Sequence, residues 1–246
     1  MTREYHFVWL LWSAAFLVPW AALYAAAPGL RRHMLRVSAA TSLLGLTEPI
    51  FVPKYWNPPS LFDLAQRTGF DIESFIFCFA IGGIGSVLYI ALTRAELWPM
   101  PLAERHSARH RFHALALMTP YLIFPLLYAL PWNSIYPGIV ALAIGAGSTV
   151  VCRSELARKT LLGGVLFLAL YALFMAGLVV FAPGYIELVW NLADLSGVII
   201  AGIPVEELAF GFTFGMYWSG LYEHFSWRAT GARTPSQFGS RERSHG

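Results

Sequence analysis

Seven long apolar runs constrain this chain more than any other feature of its sequence. Each run holds roughly 20 residues, the length that crosses the hydrocarbon core of a bilayer as an α-helix. Backbone groups cannot stay unpaired in hydrocarbon, so such runs are expected to be helical. We therefore predict an all-α integral membrane protein with seven transmembrane helices, at about residues 5–27, 34–52, 72–92, 112–131, 133–151, 160–182 and 195–220.

The composition excludes a soluble domain. Of the 246 residues, 13% are charged and 57% are apolar, and the mean hydropathy is +0.56, whereas soluble domains carry about 25% charged residues. The net charge of +3 is too small to indicate a nucleic-acid partner, and we expect none. The two cysteines, Cys78 and Cys152, are too few for a disulfide scaffold, so we expect both to be unpaired.

The basic residues divide unequally between the two sides of a seven-span bundle. Fourteen of the 17 Lys and Arg residues fall in the segments 28–36, 93–111, 152–159 and 228–246, which all lie on one side. The positive-inside rule then predicts a cytoplasmic C-terminus and an N-terminus outside. We expect a multi-pass protein of the cell membrane whose basic residues contact membrane lipid.

Residues 71–92 and 204–225 resemble each other at a fixed offset of 133 residues. The most informative matched pair is Glu73 with Glu206, because acids are rare in membrane spans. The offset predicts two parallel three-helix repeats joined by a linking helix. The predicted divisions are a first half at 1–92, a basic cytoplasmic loop and linking helix at 93–132, a second half at 133–227 and a polar, disordered cytoplasmic tail at 228–246.

Four acids in or beside the spans are candidate catalytic residues: Glu48, Glu73, Glu206 and Glu207. Glu206 falls about 11 residues into the last predicted span, which places it roughly 16 Å deep in a hydrocarbon core about 30 Å thick. Each acid alone could be a buried, hydrogen-bonded group without further use. Because a charge in the membrane is costly, the presence of four acids, two of them at repeated positions, favours a functional site.

Several other kinds of site are excluded or disfavoured. The chain has no glycine-rich nucleotide loop and no aspartate-rich pair for a magnesium diphosphate. A retinal Schiff base needs a lysine inside a span, and Lys54 and Lys159 lie in or beside loops. His106, His110 and His113 have a helical spacing suited to a metal, but they belong to a basic loop. We expect neither a metal nor a cofactor.

A buried, protonated carboxylic acid among aromatic rings is suited to protonating an alkene. Apolar surroundings keep such an acid neutral, and ring faces can stabilise the carbocation that follows. The chain supplies rings close to the acids: Phe210 and Tyr217 follow Glu206 on one helix face, and Phe77 follows Glu73. Trp56 belongs to a set of aromatic residues near the outer span ends, most of which an interfacial belt explains.

The segment 202–210, with the sequence GIPVEELAF, resembles the Pro-x-Glu-Glu/Asp motif of the membrane lycopene cyclase domain family. This is the heterodimeric or fused carotenoid cyclase type that uses no flavin. The segments 48–58 and 71–77 look like the first half of the same family. Two positions depart from the motif there, because Asp71 replaces the proline and Ser74 replaces the second acid. The resemblance covers roughly residues 5–92 and 133–225, so both halves would stand in one chain.

The resemblance implies that the chain closes β-ionone-type rings at the ends of lycopene or a related long apolar polyene, without net redox change and without a cofactor. Glu206 and Glu207 match the motif acids, and Glu206 is the first choice of proton donor. Other carotenoid-pathway enzymes are further expected partners. Glu73 and Glu48, in the first half, are further catalytic candidates. The candidates for binding substrate are Pro204, Phe77, Phe210, Tyr217 and Trp56.

One alternative remains open at this point. A non-catalytic membrane protein of the parallel-repeat type, either a small-solute transporter or a carotenoid-binding scaffold, would share the spans and the repeat. The sequence does not decide the ring type, or whether one or both ends of the polyene are cyclised.

Overall fold

The structure is a computed structural model that describes residues 5–230. Arg3, Arg233, Arg241 and Arg243 of the charge pattern lie outside the described residues, as does most of the predicted tail at 228–246. The chain is mostly helical, at 76%. The α-helices run in the order α1 Val8–Ala15, α2 Leu17–Ala26, α3 Arg31–Ser42, α4 Glu48–Phe51, α5 Leu64–Thr68, α6 Ile72–Thr93, α7 Leu102–Arg105, α8 His113–Tyr128, α9 Ile135–Cys152, α10 Ala157–Phe181, α11 Tyr185–Val189 and α12 Val205–Ser226.

Four helical segments are long and apolar enough to cross a membrane. They are Val8–Ala26, which joins α1 and α2, then Ile72–Thr93, Ile135–Cys152 and Ser154–Phe181. They coincide with four of the seven predicted spans. α8 is a shorter apolar helix inside the predicted span 112–131. The protein is therefore a helical membrane protein, and the full set of seven spans stays a prediction.

The predicted span 34–52 is not one regular helix. α3 ends at Ser42, a 3-10 helix covers Leu43–Thr47, and α4 begins at Glu48. Gly45 allows the ring of Phe75 to approach closely, since a Cβ at this position would lie 2.9 Å from that ring. The break brings Glu48 to the start of a new helix, where the carboxyl group can turn into the interior.

The last predicted span begins ten residues later than the apolar run indicates. Residues 195–204 contain a small hairpin, in which β2 Ile199–Ile200 pairs antiparallel with β3 Ile203–Pro204. Ala201 and Gly202 form its turn with φ of 52° and 82°, and Pro204 is the N-cap of α12. Glu206 therefore lies in the first helical turn, and its predicted position 11 residues into a helix is wrong. An acid in that turn interacts favourably with the helix dipole.

α6 and α12 have equal lengths of 22 residues, and both ends of α12 lie 133 residues after the corresponding ends of α6. Each helix is followed by a residue with left-handed φ, Arg94 and Trp227. Beyond these residues, β1 Leu97–Pro99 pairs antiparallel with β4 Arg228–Thr230. The C-terminal ends of the two helices therefore lie side by side. We name this side of the bundle the basic end.

Segments that precede α6 and α12 in the chain also pair with each other through their backbones. The amide of Asn57 donates to the carbonyl of Val189 over 2.8 Å, and the amide of Asn191 donates to the carbonyl of Tyr55 over 2.9 Å. This reciprocal pairing encloses an isolated antiparallel bridge between Trp56 and Trp190. α6 and α12 thus run in the same direction. We name this second side the carboxylate end, because it carries the four candidate acids.

Glycines set the closest helix contacts, as the small-residue rule for membrane helices leads one to expect. α12 packs on α10, α9 and α6, and α3 packs on α6. A Cβ at Gly215 of α12 would overlap Phe167, and it would lie 2.9 Å from the carbonyl oxygen of Gly163 and 3.1 Å from the Cα of Gly164. At the matched position of α6, a Cβ at Gly82 would overlap Thr41 of α3.

We predict that Gly215→Ala lowers the stability of the purified protein by about 1–3 kcal/mol, because the new methyl group meets the backbone of α10, which cannot move aside cheaply. Gly147→Ala is the matched control, since nothing lies within 4 Å of its Cβ position. Both changes gain helix propensity, so the difference between them isolates the overlap. Unfolding in detergent is the measurement, and equal stability of the two variants would contradict this packing.

Candidate active site

A cavity of about 310 Å³ opens inside the bundle near the carboxylate end. Its volume lies at the lower end of the range for small-molecule sites, and its walls are mainly apolar and aromatic, as in such sites generally. The walls come from α1, the segment from Leu44 to Trp56, α6, α8, α9, α10 and α12. The aromatic residues that line it are Trp9, Phe51, Tyr55, Trp56, Phe77, Tyr121, Phe124, Tyr171, Phe174, Trp190, Phe210, Phe214, Tyr217 and Trp218.

Glu207 lines this cavity and is held by three hydrogen-bond donors. Its Oε1 accepts from the hydroxyl of Tyr55 and, over 2.7 Å, from the indole Nε1 of Trp190. Its Oε2 accepts from the hydroxyl of Tyr171. Only 4% of Glu207 is exposed. Three donors aimed at one carboxyl group suit its ionised form, because a carboxylate only accepts hydrogen bonds.

Glu48 is the second acid that lines the cavity. It is buried, and its Oε1 has no hydrogen-bond partner among the described residues. Asp71 and Glu73 lie close enough to interact with it electrostatically. The side chains of Ser74 and Trp56 also interact with Glu48. Glu48 and Glu207 therefore differ in their neighbours: two further acids lie near Glu48, whereas three hydrogen-bond donors hold Glu207.

Glu206 does not line the cavity. Its Oε1 accepts hydrogen bonds of 2.8 Å from the hydroxyl of Tyr136 and from the backbone amide of Ser196. It therefore ties the start of α12 to α9 and to the segment before the hairpin. Glu206 and Glu207 point to different neighbours, as their adjacent positions on one helix require.

Glu73 is buried below the cavity wall and is also absent from the lining. Its Oε1 accepts from the amide of Leu61 over 2.7 Å, and its Oε2 has no partner among the described residues. Asp71, just before α6, caps this helix by accepting from the amide of Ser74. Burial raises the pKa of the Asp71 carboxyl group.

Four of the five residues predicted to bind substrate line the cavity: Phe77, Phe210, Tyr217 and Trp56. The fifth, Pro204, does not, because it precedes the first turn of α12. Tyr217 donates its hydroxyl to the carbonyl oxygen of Leu117, so its polar group is satisfied while its ring contributes to the wall. Ring contacts such as the Trp9–Trp56 pair, with centroids 4.6 Å apart, keep the wall rigid.

Sequence reasoning missed the three partners of Glu207. Tyr55 lies inside the segment that resembles the family, but nothing in the sequence marked it as a donor to an acid 152 residues away. Tyr171 is one aromatic residue within an apolar run, and Trp190 lies near a predicted span end, where an interfacial belt explains most aromatic residues. The one available signal was the match of Trp56-Asn57 with Trp190-Asn191, at nearly the repeat offset.

The two lysines have ordinary roles. Lys159 lies near the start of α10 and forms a buried ion pair with Glu223 of α12. The carbonyl oxygen of Lys54 accepts from Asn133 and Asn191. Neither ammonium group lines the cavity. Lys159 is buried inside the helical segment Ser154–Phe181, which is long and apolar enough to cross a membrane, so the prediction that it lies in or beside a loop needs correction.

The three loop histidines are not brought together. His106 is exposed, and its Nδ1 hydrogen-bonds with the carbonyl oxygen of Leu102 over 2.9 Å. His110 and His113 are buried, and both approach Cys152 instead. The helical spacing of the three histidines therefore does not produce a cluster of all three.

Residues 133–225 match a family model described as lycopene cyclase. No curated protein and no solved structure matches the chain. This segment of 93 residues resembles the lycopene cyclase family, in agreement with the resemblance drawn from the sequence for residues 133–225. The family implies an enzyme of carotenoid biosynthesis that catalyses cyclisation, with a polyene as substrate. The comparisons give no support to the transporter or scaffold alternative.

We predict that Tyr171→Phe destabilises the protein by about 1.5–3 kcal/mol, because a hydrogen bond to a buried charged group is lost. Tyr217→Phe is the matched control: this tyrosine also lines the cavity, but it donates to a neutral carbonyl, so its loss is expected to be about 0.5–1.5 kcal/mol. Unfolding in detergent measures both variants. In a Glu207→Gln background the effect of Tyr171→Phe should shrink, and an undiminished effect would contradict the assigned contact.

Proposed function

We propose that this chain is a lycopene cyclase with both family halves in one polypeptide, forming β-ionone-type end rings on lycopene or a related polyene. The observation that carries this proposal is the cavity, which two buried acids, Glu48 and Glu207, line together with many aromatic rings. The match of residues 133–225 to the family supports the reaction class. The cavity's apolar lining supports a hydrocarbon substrate.

In the proposed reaction, Glu48 is the proton donor. Its O–H proton adds to one carbon of the terminal alkene and leaves a carbocation on the other. The next alkene of the same chain attacks this cation, forming the ring C–C bond and moving the positive charge within the new ring. Loss of a neighbouring proton to the Glu48 carboxylate restores a double bond. The atoms and electrons balance without an oxidant or a cofactor, and Glu48 ends in its starting form.

In this proposal Glu207 stays ionised throughout. Its charge is fixed by Tyr55, Tyr171 and Trp190, so it is preorganised to stabilise the cation without rearranging. The ring faces of Phe77 and Phe210 add cation–π attraction. Pairing a neutral acid with a fixed carboxylate is a known way for one site to run both steps of acid–base chemistry.

Glu206 and Glu73 are positioning residues in this proposal. Glu206 holds the start of α12 through Tyr136 and Ser196, which sets the direction of the neighbouring Glu207. Glu73 holds the segment after Pro58 through the amide of Leu61. In this proposal the proton donor is Glu48, whereas the sequence alone favoured Glu206.

The proposed membrane arrangement has seven spans, two parallel repeats, an outside N-terminus and a cytoplasmic C-terminus. The equal offset of α6 and α12 and their shared direction support the repeat. The carboxylate end would then face outward, and the basic end would face the cytoplasm and its anionic lipids.

We predict that cells that make lycopene convert it to γ- or β-carotene when they express this chain, and that Glu48→Gln and Glu207→Gln each lower the conversion at least about 100-fold, the usual size of an acid–base contribution. Glu206→Gln should keep a measurable fraction of activity. Pigment analysis by chromatography is the measurement, with membrane levels of each variant checked in parallel.

Glu187→Gln is the matched control, because this glutamate is exposed on α11 at the same end of the bundle, and we expect it to leave conversion unchanged. If Glu206→Gln abolished conversion while Glu48→Gln retained it, Glu206 would be the donor and the assignment to Glu48 would be wrong. If inserted wild-type protein left lycopene untouched, the proposed activity itself would fail.

The orientation has its own test. Alkaline phosphatase fused after Asn133 should be active, since the predicted outside loop lies there, whereas the same reporter at the C-terminus should be inactive and a fluorescent protein there should glow. Active phosphatase at the C-terminus would overturn the proposed topology while leaving the chemistry of the cavity untouched.

A further inference from the structure

His110, His113 and Cys152 form a buried cluster at the basic end that the proposed reaction does not use. His110 ends the short 3-10 helix Ala108–His110, His113 is the first residue of α8, and Cys152 is the last residue of α9. Their ligand atoms all lie within 4.8 Å of one another. We propose that this cluster binds one Zn²⁺ ion and thereby fastens the ends of α8 and α9 together.

The two nitrogen–sulfur distances within the cluster fit a tetrahedral zinc site. The Nδ1 atoms of His110 and His113 lie 3.5 Å and 3.4 Å from the Sγ of Cys152. With Zn–S near 2.3 Å and Zn–N near 2.0–2.1 Å, a tetrahedral angle separates nitrogen and sulfur by about 3.5 Å.

The tautomer of His113 also suits a ligand. Its Nε2 lies 3.1 Å from the carbonyl oxygen of His224, and a carbonyl oxygen can only accept. Nε2 therefore carries the hydrogen, and the neutral ring presents an unprotonated Nδ1 to Cys152. A backbone carbonyl that orients a histidine in this way is the usual outer support of a metal ligand.

The surroundings shield the cluster from water. The indole of Trp227 stacks on His113, with ring centroids 4.1 Å apart, and lies edge-on to His110. Arg153 follows Cys152 in the chain, but its guanidinium is bound to Glu155 and to the carbonyl oxygens of Glu223 and Arg228. His110, His113 and Cys152 are each less than 10% exposed, so an ion held there would exchange slowly.

The ligand set selects the kind of ion. Two imidazoles and a thiolate suit Zn²⁺ better than the hard ions Mg²⁺ or Ca²⁺, which prefer oxygen. On binding, the thiol of Cys152 loses its proton to water as the Zn–S bond forms.

The site is structural and separate from the cavity. α9 carries Tyr136, the partner of Glu206, near one end and Cys152 at the other, and 16 residues of helix span about 24 Å. The ion would fasten the start of α8 to the end of α9. This inference does not depend on the proposed cyclase activity.

The test uses the purified full-length chain in detergent, stripped with EDTA and supplied with Zn²⁺ or Co²⁺ alone. We expect one Zn²⁺ per chain by elemental analysis and a higher unfolding temperature with the ion than without it. Co²⁺ should give the near-ultraviolet absorption of a thiolate–cobalt bond. Cys152→Ser should lose that absorption, and both Cys152→Ser and His113→Gln should bind at least about 100-fold more weakly, since even outer-support changes weaken binding 10–100-fold.

His106→Gln and Cys78→Ser are the matched controls, and both should keep the stoichiometry and the cobalt spectrum. If a ligand variant cannot be purified, the wild-type spectrum and the zinc-dependent unfolding temperature still decide the question. Absence of bound Zn²⁺, a cobalt spectrum without the thiolate band, or wild-type affinity in Cys152→Ser would each overturn the proposal. The last two results would indicate an ion on surface histidines.

Discussion

The rest of the site depends on the three hydrogen bonds that hold the buried carboxyl group of Glu207. An isolated charge in this interior would be prohibitively costly, so an ionised Glu207 needs its three hydrogen-bond donors. They lie on three separate parts of the chain: Tyr55 before α5, Tyr171 within α10 and Trp190 after α11. Satisfying one acid therefore fixes the relative positions of these three segments, and all three of its partners also line the aromatic cavity.

Much of the fold could be predicted from the sequence, because hydropathy reports the length of a helix directly. Hydropathy gave the wrong start for the last helix, because residues 195–204 have mostly apolar side chains but a backbone that turns. The positive φ of Ala201 and Gly202 and the missing donor of Pro204 are local backbone effects that an average over side chains does not detect. The same holds for the 3-10 break at Leu43–Thr47. Glu206 was placed too deep for this reason alone.

The acids of the site could be predicted as a set, since rarity in a membrane marks them. Their roles could not, because protonation follows from neighbours and not from the acid itself. The hydrogen-bond partners that distinguish Glu207 from Glu48 lie far from Glu207 in the chain. The histidines and Cys152 are likewise distant in the chain although they lie close together in the fold. A cysteine or tyrosine within an apolar run looks like an ordinary core residue until the fold shows what it faces.

The backbone pairings that lie before and after α6 and α12 bear on whether these two helices need the chain between them in order to associate. The strands at the basic end and the reciprocal bonds around Trp56 and Trp190 align these helices independently of the linking segment between them. A cut in that segment would leave both pairings available. Two separate polypeptides could therefore associate in the same register, because these main-chain hydrogen bonds would set how they pair.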